Sequence, residues 1–227
     1  MKPARLEAFS DGVIAILITI MVLELHVPHG VDLAALRPMV PVFLSYVLSF
    51  VFLGIYWSNH HHMLHTVERV NGGILWANLH LLFWLSLTPF ATAWMGENGA
   101  APLPTAVYGA VLLLAGVAYT ILQNTIIASQ GPESKLKAAV SRDAKGKLSV
   151  LGYATAIPLA FVDRRISIAL YVAVALTWLV PDRRIESRLK PLPAARFDSF
   201  TSTRSRSPRT ARSRRSSGNA SAFPRAS

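Results

Sequence analysis

Two stretches of the chain place ionisable side chains in apolar surroundings. Glu7 and Asp11 lie four residues apart where a long apolar run begins, and His60, His61 and His62 follow another apolar run. Charged groups at membrane depth are costly, so they usually face protein or water and mark a functional site or a specific partner. Carboxylates and imidazoles in such a place can transfer protons, hydrogen-bond a neighbouring helix or bind a metal ion.

The histidines give only a weak metal-binding pattern. Imidazoles at adjacent positions of a helix diverge by about 100°, so the three consecutive histidines do not converge on one ion. His61 and His65 share a helix face, but Glu68 is the only carboxylate near them in the sequence. We therefore predict a hydrogen-bonding or interfacial role for these histidines, with no bound metal and no cofactor.

The rest of the sequence offers little that could catalyse a reaction. The chain has no cysteine, which excludes a disulfide framework, thiolate metal sites and a thiol nucleophile. No segment resembles a nucleophile elbow, a phosphate-binding loop or a dinucleotide-binding fingerprint. We therefore do not expect this chain to be an enzyme.

Composition and segment lengths indicate a membrane protein. Apolar residues make up 52% of the chain and charged residues 15%, against about a quarter charged in a typical soluble domain. The sequence predicts an all-α polytopic membrane protein with six transmembrane helices, at about residues 4–27, 40–59, 73–94, 105–128, 148–162 and 166–180. The last two are short and are separated by Asp163, Arg164 and Arg165, so we expect a tight hairpin there.

The charge of the chain is unevenly distributed. Residues 1–182 carry 11 Lys or Arg and 10 Asp or Glu, whereas residues 183–227 carry 12 and 2. We predict a six-helix transmembrane domain at 1–182 and a disordered, Ser-, Arg- and Pro-rich tail at 183–227. The basic loop at 129–147 and the tail place both termini in the cytoplasm by the positive-inside rule. The tail can attract anionic headgroups, and no nucleic-acid partner is expected for the folded part.

The first apolar segment carries a regular stripe of large apolar residues. The stripe has steps of 4, 3, 4, 3 and 4 and consists of Phe9, Val13, Ile16, Ile20, Leu23 and Val27. Such a stripe can pack around an axis with copies of itself. A ring of bulky aliphatic groups in a membrane can form a hydrophobic constriction that gates by dewetting. Most buried helices show a similar stripe, so the pattern alone favours an ordinary helix contact.

Two polar positions of this helix point away from the centre of the stripe. Thr19 lies roughly 60–70° from it and can offer its hydroxyl to a neighbouring helix, to an ion or to the carbonyl of Ala15. Asp11 lies about 140° from Ile16 and should face its own subunit, where a buried carboxylate needs a partner. The candidate partners are polar residues of the second and third segments: Trp57, Asn59, His60, His61, His62, Asn78 and His80.

Many of these residues occur together in a known signature. The first helix resembles that of the transmembrane protein 175 family, the endolysosomal potassium channels with bacterial and archaeal relatives, at Arg5, Phe9, Ser10, Asp11, Gly12, Ala15, Ile16, Thr19 and residues 22–24. Residues 56–61 and 85–90 are similar to the family as well. The resemblance covers residues 4–182.

The resemblance implies a homotetramer of six-helix subunits in which the first helix lines the pore. Aliphatic side chains of that helix form the constriction in this family, which implies Ile16, Ile20 and Leu23 in this sequence. A threonine beside the constriction is linked to cation preference, which implies Thr19. The motif residues that would anchor the pore helix are Arg5, Phe9, Ser10 and Asp11.

The function implied is a potassium-permeable cation channel of the cell membrane that conducts K⁺ passively. Other monovalent cations or protons are further candidate ions. Two other hypotheses stay open. A proton-leak channel or proton-coupled carrier would use Asp11 and the histidine cluster His60 to His62 as a relay. A non-conducting membrane scaffold would depend on its basic tail.

Overall fold

The computed structural model describes residues 2–131, 136–137 and 144–179. Regular structure within these residues is helical throughout, which confirms the predicted all-α class. A 3-10 helix at Leu33–Met39 separates the first two α-helices. The α-helices are α1 (Pro3–Leu23), α2 (Val40–Leu64), α3 (Gly72–Ser86), α4 (Thr88–Glu97), α5 (Pro102–Gln130), α6 (Ala144–Leu159) and α7 (Arg164–Leu179).

Long apolar helices account for most of the described residues. Four segments are long and apolar enough to cross a membrane: Pro3–Leu23, Leu33–Leu64, Gly72–Glu97 and Pro102–Gln130. α6 and α7 have 16 residues each, or about 24 Å of helix. Between them, the Asp163 carboxylate accepts a hydrogen bond from the backbone N–H of Arg165 at 2.8 Å. The predicted tight hairpin is confirmed, and with it the count of six apolar segments.

The third predicted helix is two helices in the structure. α3 ends at Ser86 and α4 begins at Thr88, with Leu87 as the residue shared by the two caps. Pro89 lies in the first turn of α4, where its missing N–H costs nothing. A proline inside one continuous helix would clash with the preceding turn, so the predicted third segment crosses as a single apolar span, Gly72–Glu97, that is broken at Leu87.

Two other helix ends differ from the prediction. α1 ends at Leu23 rather than near Val27. Pro28 disfavours helical backbone at Val27 itself. α2 continues to Leu64 rather than ending at residue 59, because no glycine or proline interrupts the histidine-rich stretch. The histidines therefore lie on the last turns of a helix, with directions fixed by its backbone.

The helices bury two apolar cores. The first joins α1 to α3 and to the C-terminal parts of α2 and α5, through side chains such as Leu17, Leu64 and Leu122. The second joins α4, α6, α7 and the first half of α5 around Phe52 and Tyr171. α1 contributes side chains to the first core alone, so its packing within the described part of the subunit is one-sided.

A buried row of hydroxyls ties α2, α4 and α5 together. Ser49 Oγ lies 2.6 Å from Thr92 Oγ1 and 3.0 Å from the Tyr108 hydroxyl. The Thr92 hydroxyl in turn donates to the carbonyl of Thr88 at 2.7 Å. Polar groups inside a membrane must find internal partners. The row therefore fixes how α4 is placed against α2.

The predicted basic tail at 183–227 lies outside the described residues, as does part of the predicted loop at 129–147. The division into a membrane domain and a tail therefore stays a prediction. The same holds for the cytoplasmic placement of the termini, since the charges that indicate it belong largely to those two segments.

Gly96 allows α4 to lie directly against the start of α2. A Cβ atom at this position would lie 2.8 Å from Val42 Cα and 3.4 Å from the Ser45 side chain, and backbone cannot swing aside as a flexible side chain can. We expect Gly96→Ala to lower the free energy of unfolding by about 1–3 kcal/mol through overpacking. Thermal unfolding of the detergent-solubilised protein measures this change.

Gly54 of α2 provides the matched control. A Cβ atom there would meet no heavy atom within 4 Å, so the added methyl group fits without any movement. Gly54→Ala should leave the free energy of unfolding unchanged or raise it by about 0.5–1 kcal/mol, because alanine favours helix. An equal loss of stability in both variants would contradict the close approach of α4 to α2.

Candidate ion-conducting helix and its polar anchor

α1 has one buried face and a broad uncovered one. The buried face repeats every three or four residues and consists of Leu6, Ser10, Ile14, Leu17 and Met21. Leu6, Ile14 and Met21 are 1% exposed and pack on the first core. Their spacing brings one side of α1 against its own subunit. The remaining circumference of α1 needs another surface, lipid or protein, to cover it.

The predicted constriction residues lie on the uncovered side. Ile16 is 57%, Ile20 40% and Leu23 76% exposed within the subunit. Phe9 shares this side and is also exposed, whereas Val13 is partly buried and packs against the first core. The side chain of Val27 is exposed beyond the end of α1. The middle of the predicted stripe is thus a continuous apolar surface that its own subunit does not use.

Thr19 is exposed beside this stripe. Its hydroxyl donates a hydrogen bond to the carbonyl of Ile16 at 2.8 Å. A bond back to the preceding turn is common for threonine in apolar helices, and here it reaches three residues back rather than four to Ala15. The oxygen of the hydroxyl keeps its lone pairs for a further donor or a cation.

The buried side of α1 is held by a chain of hydrogen bonds to α3 and α2. The Asn78 amide donates to Ser10 Oγ at 3.0 Å, and the Asn78 carbonyl oxygen lies 2.7 Å from His60 Nε2. The Ser10 hydroxyl donates to the carbonyl of Leu6 at 2.9 Å. Because the amide oxygen can only accept, His60 donates through Nε2. Ser10, His60 and Asn78 are fully buried, so one amide satisfies groups on two other helices.

Asp11, the residue after Ser10 on α1, contacts α2. Its Oδ1 accepts a hydrogen bond from the indole N–H of Trp57 at 3.0 Å. The carboxylate therefore faces its own subunit, on the side of α1 that the angular argument indicates. Charge-assisted bonds of this kind are shorter and stronger than neutral ones. Ser10 and Asp11 together fix the rotation of α1 about its axis.

Other predicted motif residues make fewer contacts. Arg5 and Phe9 are exposed, and no side-chain hydrogen bond or ion pair joins Arg5 to the part of the chain that the structure describes. Asn59 donates to the carbonyl of Ile55 in its own helix at 2.8 Å. His80 accepts from Trp84 within α3 at 2.9 Å. These residues do not join the hydrogen bonds that hold α1.

A carboxylate–histidine cluster lies beside the anchor. Glu7 Oε1 is 2.7 Å from His61 Nδ1 and 3.6 Å from His65 Nε2. The two Nε2 atoms are 3.1 Å apart, while His62 is exposed on another face. Sequence reasoning considered Glu68 alone as a carboxylate for these histidines and missed Glu7. The signal was available, because Glu7 precedes Asp11 by one helical turn and shares its face.

Comparison with known proteins shows which family the chain belongs to. The profile described as endosomal/lysosomal potassium channel TMEM175 matches residues 5–89. A potassium channel of Chryseobacterium sp. (strain P1-3) is 55% identical over 190 residues, covering 84% of this chain and 99% of that protein. The chain belongs to the TMEM175 family. A potassium channel of Streptomyces collinus is 33% identical over 186 residues, covering 77% of this chain and 90% of the relative.

A solved TMEM175 structure shares the fold. It is the crystal structure of a lysosomal potassium-selective channel TMEM175 homolog from Chamaesiphon minutus, which superposes with a TM-score of 0.67 at 26% identity. The match covers 78% of this chain and 96% of that one. The TMEM175 profile at residues 5–89 spans α1, α2 and α3, the helices that supply the polar anchor. The family resemblance inferred from the motif is confirmed.

Asn78 is the residue whose loss should disturb the anchor most. We expect Asn78→Leu, which keeps the size of the side chain, to leave buried His60 Nε2 without its acceptor. Ser10 loses a donor but keeps its bond to the carbonyl of Leu6. An unsatisfied buried polar group costs about 1–3 kcal/mol, so the free energy of unfolding should fall by about that amount. Urea or thermal unfolding in detergent measures the difference.

Asn98 serves as the control for this substitution. It is exposed at the end of α4, and its side chain bonds only to the carbonyl of Trp94 among the described residues. Asn98→Leu should therefore change stability by less than about 1 kcal/mol, as surface substitutions usually do. Wild-type stability in Asn78→Leu would show that the buried bonds do not hold α1 in place.

Proposed function

We propose that this chain is a potassium-permeable cation channel that conducts K⁺ passively, with α1 lining the pore of a homotetramer. The observation that carries the proposal is the uncovered stripe of Ile16, Ile20 and Leu23 on a helix whose opposite side is tied to its own subunit. Relatives that cover most of the chain are named potassium channels. Around a symmetry axis, four copies of this stripe would form an apolar ring.

The constriction would act through size and dewetting rather than through ligands. Bulky aliphatic side chains narrow a pore and exclude water when they close on the axis. The sequence has no Thr-Val-Gly-Tyr-Gly segment, so no ring of carbonyls of that kind replaces the hydration shell of the ion. Selectivity for K⁺ would therefore be modest. Thr19, beside the stripe, would supply a polar oxygen close to the path.

The polar anchor suits this role. A pore helix must keep its lining residues aimed at the axis while ions and water pass. Hydrogen bonds from Asn78 to Ser10 and from Trp57 to Asp11 resist rotation of α1, and they lie on the side that faces away from the stripe. The protein would reside in the cell membrane with both termini in the cytoplasm, where the basic tail can approach anionic lipid.

Polar substitutions in the stripe test the pore directly. We expect Ile20→Asn and Leu23→Asn to raise K⁺ flux several-fold in liposomes that contain the purified protein, because an amide wets the apolar ring. Val22→Asn is the matched control, since Val22 is exposed on the same helix but lies about 130° from the stripe. A potassium-sensitive dye or tracer uptake measures the flux.

The outcomes separate a pore from other arrangements. Flux that responds to both stripe variants and not to Val22→Asn supports conduction along Ile20 and Leu23. Flux that is unchanged by the stripe variants would show that the ions pass elsewhere. If liposomes that contain the wild-type protein are no more permeable to K⁺ than empty liposomes, the channel proposal is wrong.

Thr19 provides a test of selectivity. We expect Thr19→Val, which keeps the shape of the side chain and removes the hydroxyl, to lower the K⁺ over Na⁺ permeability ratio. Total flux should change less than the ratio, because the apolar ring is intact. Reversal potentials in a planar bilayer with K⁺ on one side and Na⁺ on the other measure the ratio. An unchanged ratio would exclude Thr19 from selectivity.

A further inference from the structure

We propose that Glu7, His61 and His65 form a binding site for a divalent transition-metal ion of the zinc class between α1 and α2. One ligand atom from each residue lies within 4.8 Å of the others. Neutral imidazole and carboxylate are ligands that Zn²⁺ takes in proteins. Three protein ligands leave a fourth tetrahedral position for water.

The distances suit a tetrahedral ion after a small adjustment. Zinc bonds of about 2.0–2.2 Å to nitrogen and oxygen place neighbouring ligand atoms about 3.3 Å apart. His65 Nε2 lies 3.1 Å from His61 Nε2 and 3.6 Å from Glu7 Oε1, both close to that value. The 2.7 Å between Glu7 Oε1 and His61 Nδ1 is a hydrogen-bond length. This contact involves the other nitrogen of His61, which cannot bind the same ion as Nε2. The His61 ring or the Glu7 side chain must therefore turn when an ion enters.

Two helices already hold the three ligands near each other. His61 and His65 are one turn apart on α2, and their rings meet edge to face with centroids 4.4 Å apart. The His61 ring also stacks on Trp57, whose indole is held by Asp11. Glu7 comes from α1 and is partly buried. An ion would therefore bind side chains whose positions are largely fixed before it arrives.

Water can reach the cluster. The side chain of His65 is 62% exposed and that of His61 37% exposed, which leaves an entry path and room for a water ligand. The site is also distinct from the proposed pore lining. Glu7 lies about 180° around α1 from Ile16, so metal binding does not depend on whether α1 conducts ions.

Direct titration tests the site. The full-length protein, purified without a polyhistidine tag and treated with EDTA, is titrated with Zn²⁺ by isothermal titration calorimetry in detergent. We expect one site per chain that is weakened at least about tenfold in His65→Ala and in Glu7→Gln, since each removes one ligand. Titration with Co²⁺ should give the visible absorption of a tetrahedral site in wild type and lose it in both variants.

His62→Ala is the matched control, because His62 is the neighbouring exposed histidine that the cluster does not include. It should bind Zn²⁺ as wild type does. His65 is largely exposed, so its replacement should leave the fold intact, and size-exclusion elution without metal checks this. Zinc binding that is equal in wild type and His65→Ala, or equally weakened in His62→Ala, would overturn the proposal. Absence of Zn²⁺ binding in wild type would overturn it as well, leaving a hydrogen-bonded cluster.

Discussion

The bond between the Asn78 amide and the Ser10 hydroxyl is the contact on which the placement of α1 depends. Both groups are completely buried, and an unpaired polar group in such surroundings is expensive. The bond can form in only one rotational setting of α1. Leu6 and Ile14 enter the core in that setting, and Ile16 and Ile20 must turn outward. The apolar stripe of α1 therefore faces outward because Ser10, on the opposite side of the helix, bonds to Asn78 within the subunit.

α1 is held at two places along its length, by hydrogen bonds near its start and by packing near its end. Near its start, Ser10 and Asp11 bond to α3 and α2. Near its end, Met21 lies 3.9 Å from Thr92, which belongs to the row of hydroxyls that joins α2, α4 and α5. Apolar packing alone does little to choose between orientations in lipid, since lipid tails are as apolar as leucine. The hydrogen bonds of Ser10 and Asp11 supply the missing specificity.

Much of this arrangement could be predicted from local sequence signals. The apolar segments, the hairpin at Asp163 and the direction of Asp11 follow from composition, charge and the 100° step of the helix. The break at Leu87 was missed, although Pro89 marks it. The pairing of Glu7 with His61 was missed for a different reason. It joins residues 54 positions apart, and a search for carboxylates along the sequence near the histidines could not find it.

The shortness of α6 has a consequence for the surrounding lipid. Lys145 and Lys147 lie at its start, so its uncharged part runs only from residue 148 to residue 159, or about 18 Å of helix. The hydrocarbon core of a typical bilayer is about 30 Å thick. If α6 crosses such a bilayer, the bilayer thins beside it or the lysine side chains extend outward to the headgroups. The acyl-chain length of the host lipid would then decide how well the bilayer matches this hairpin.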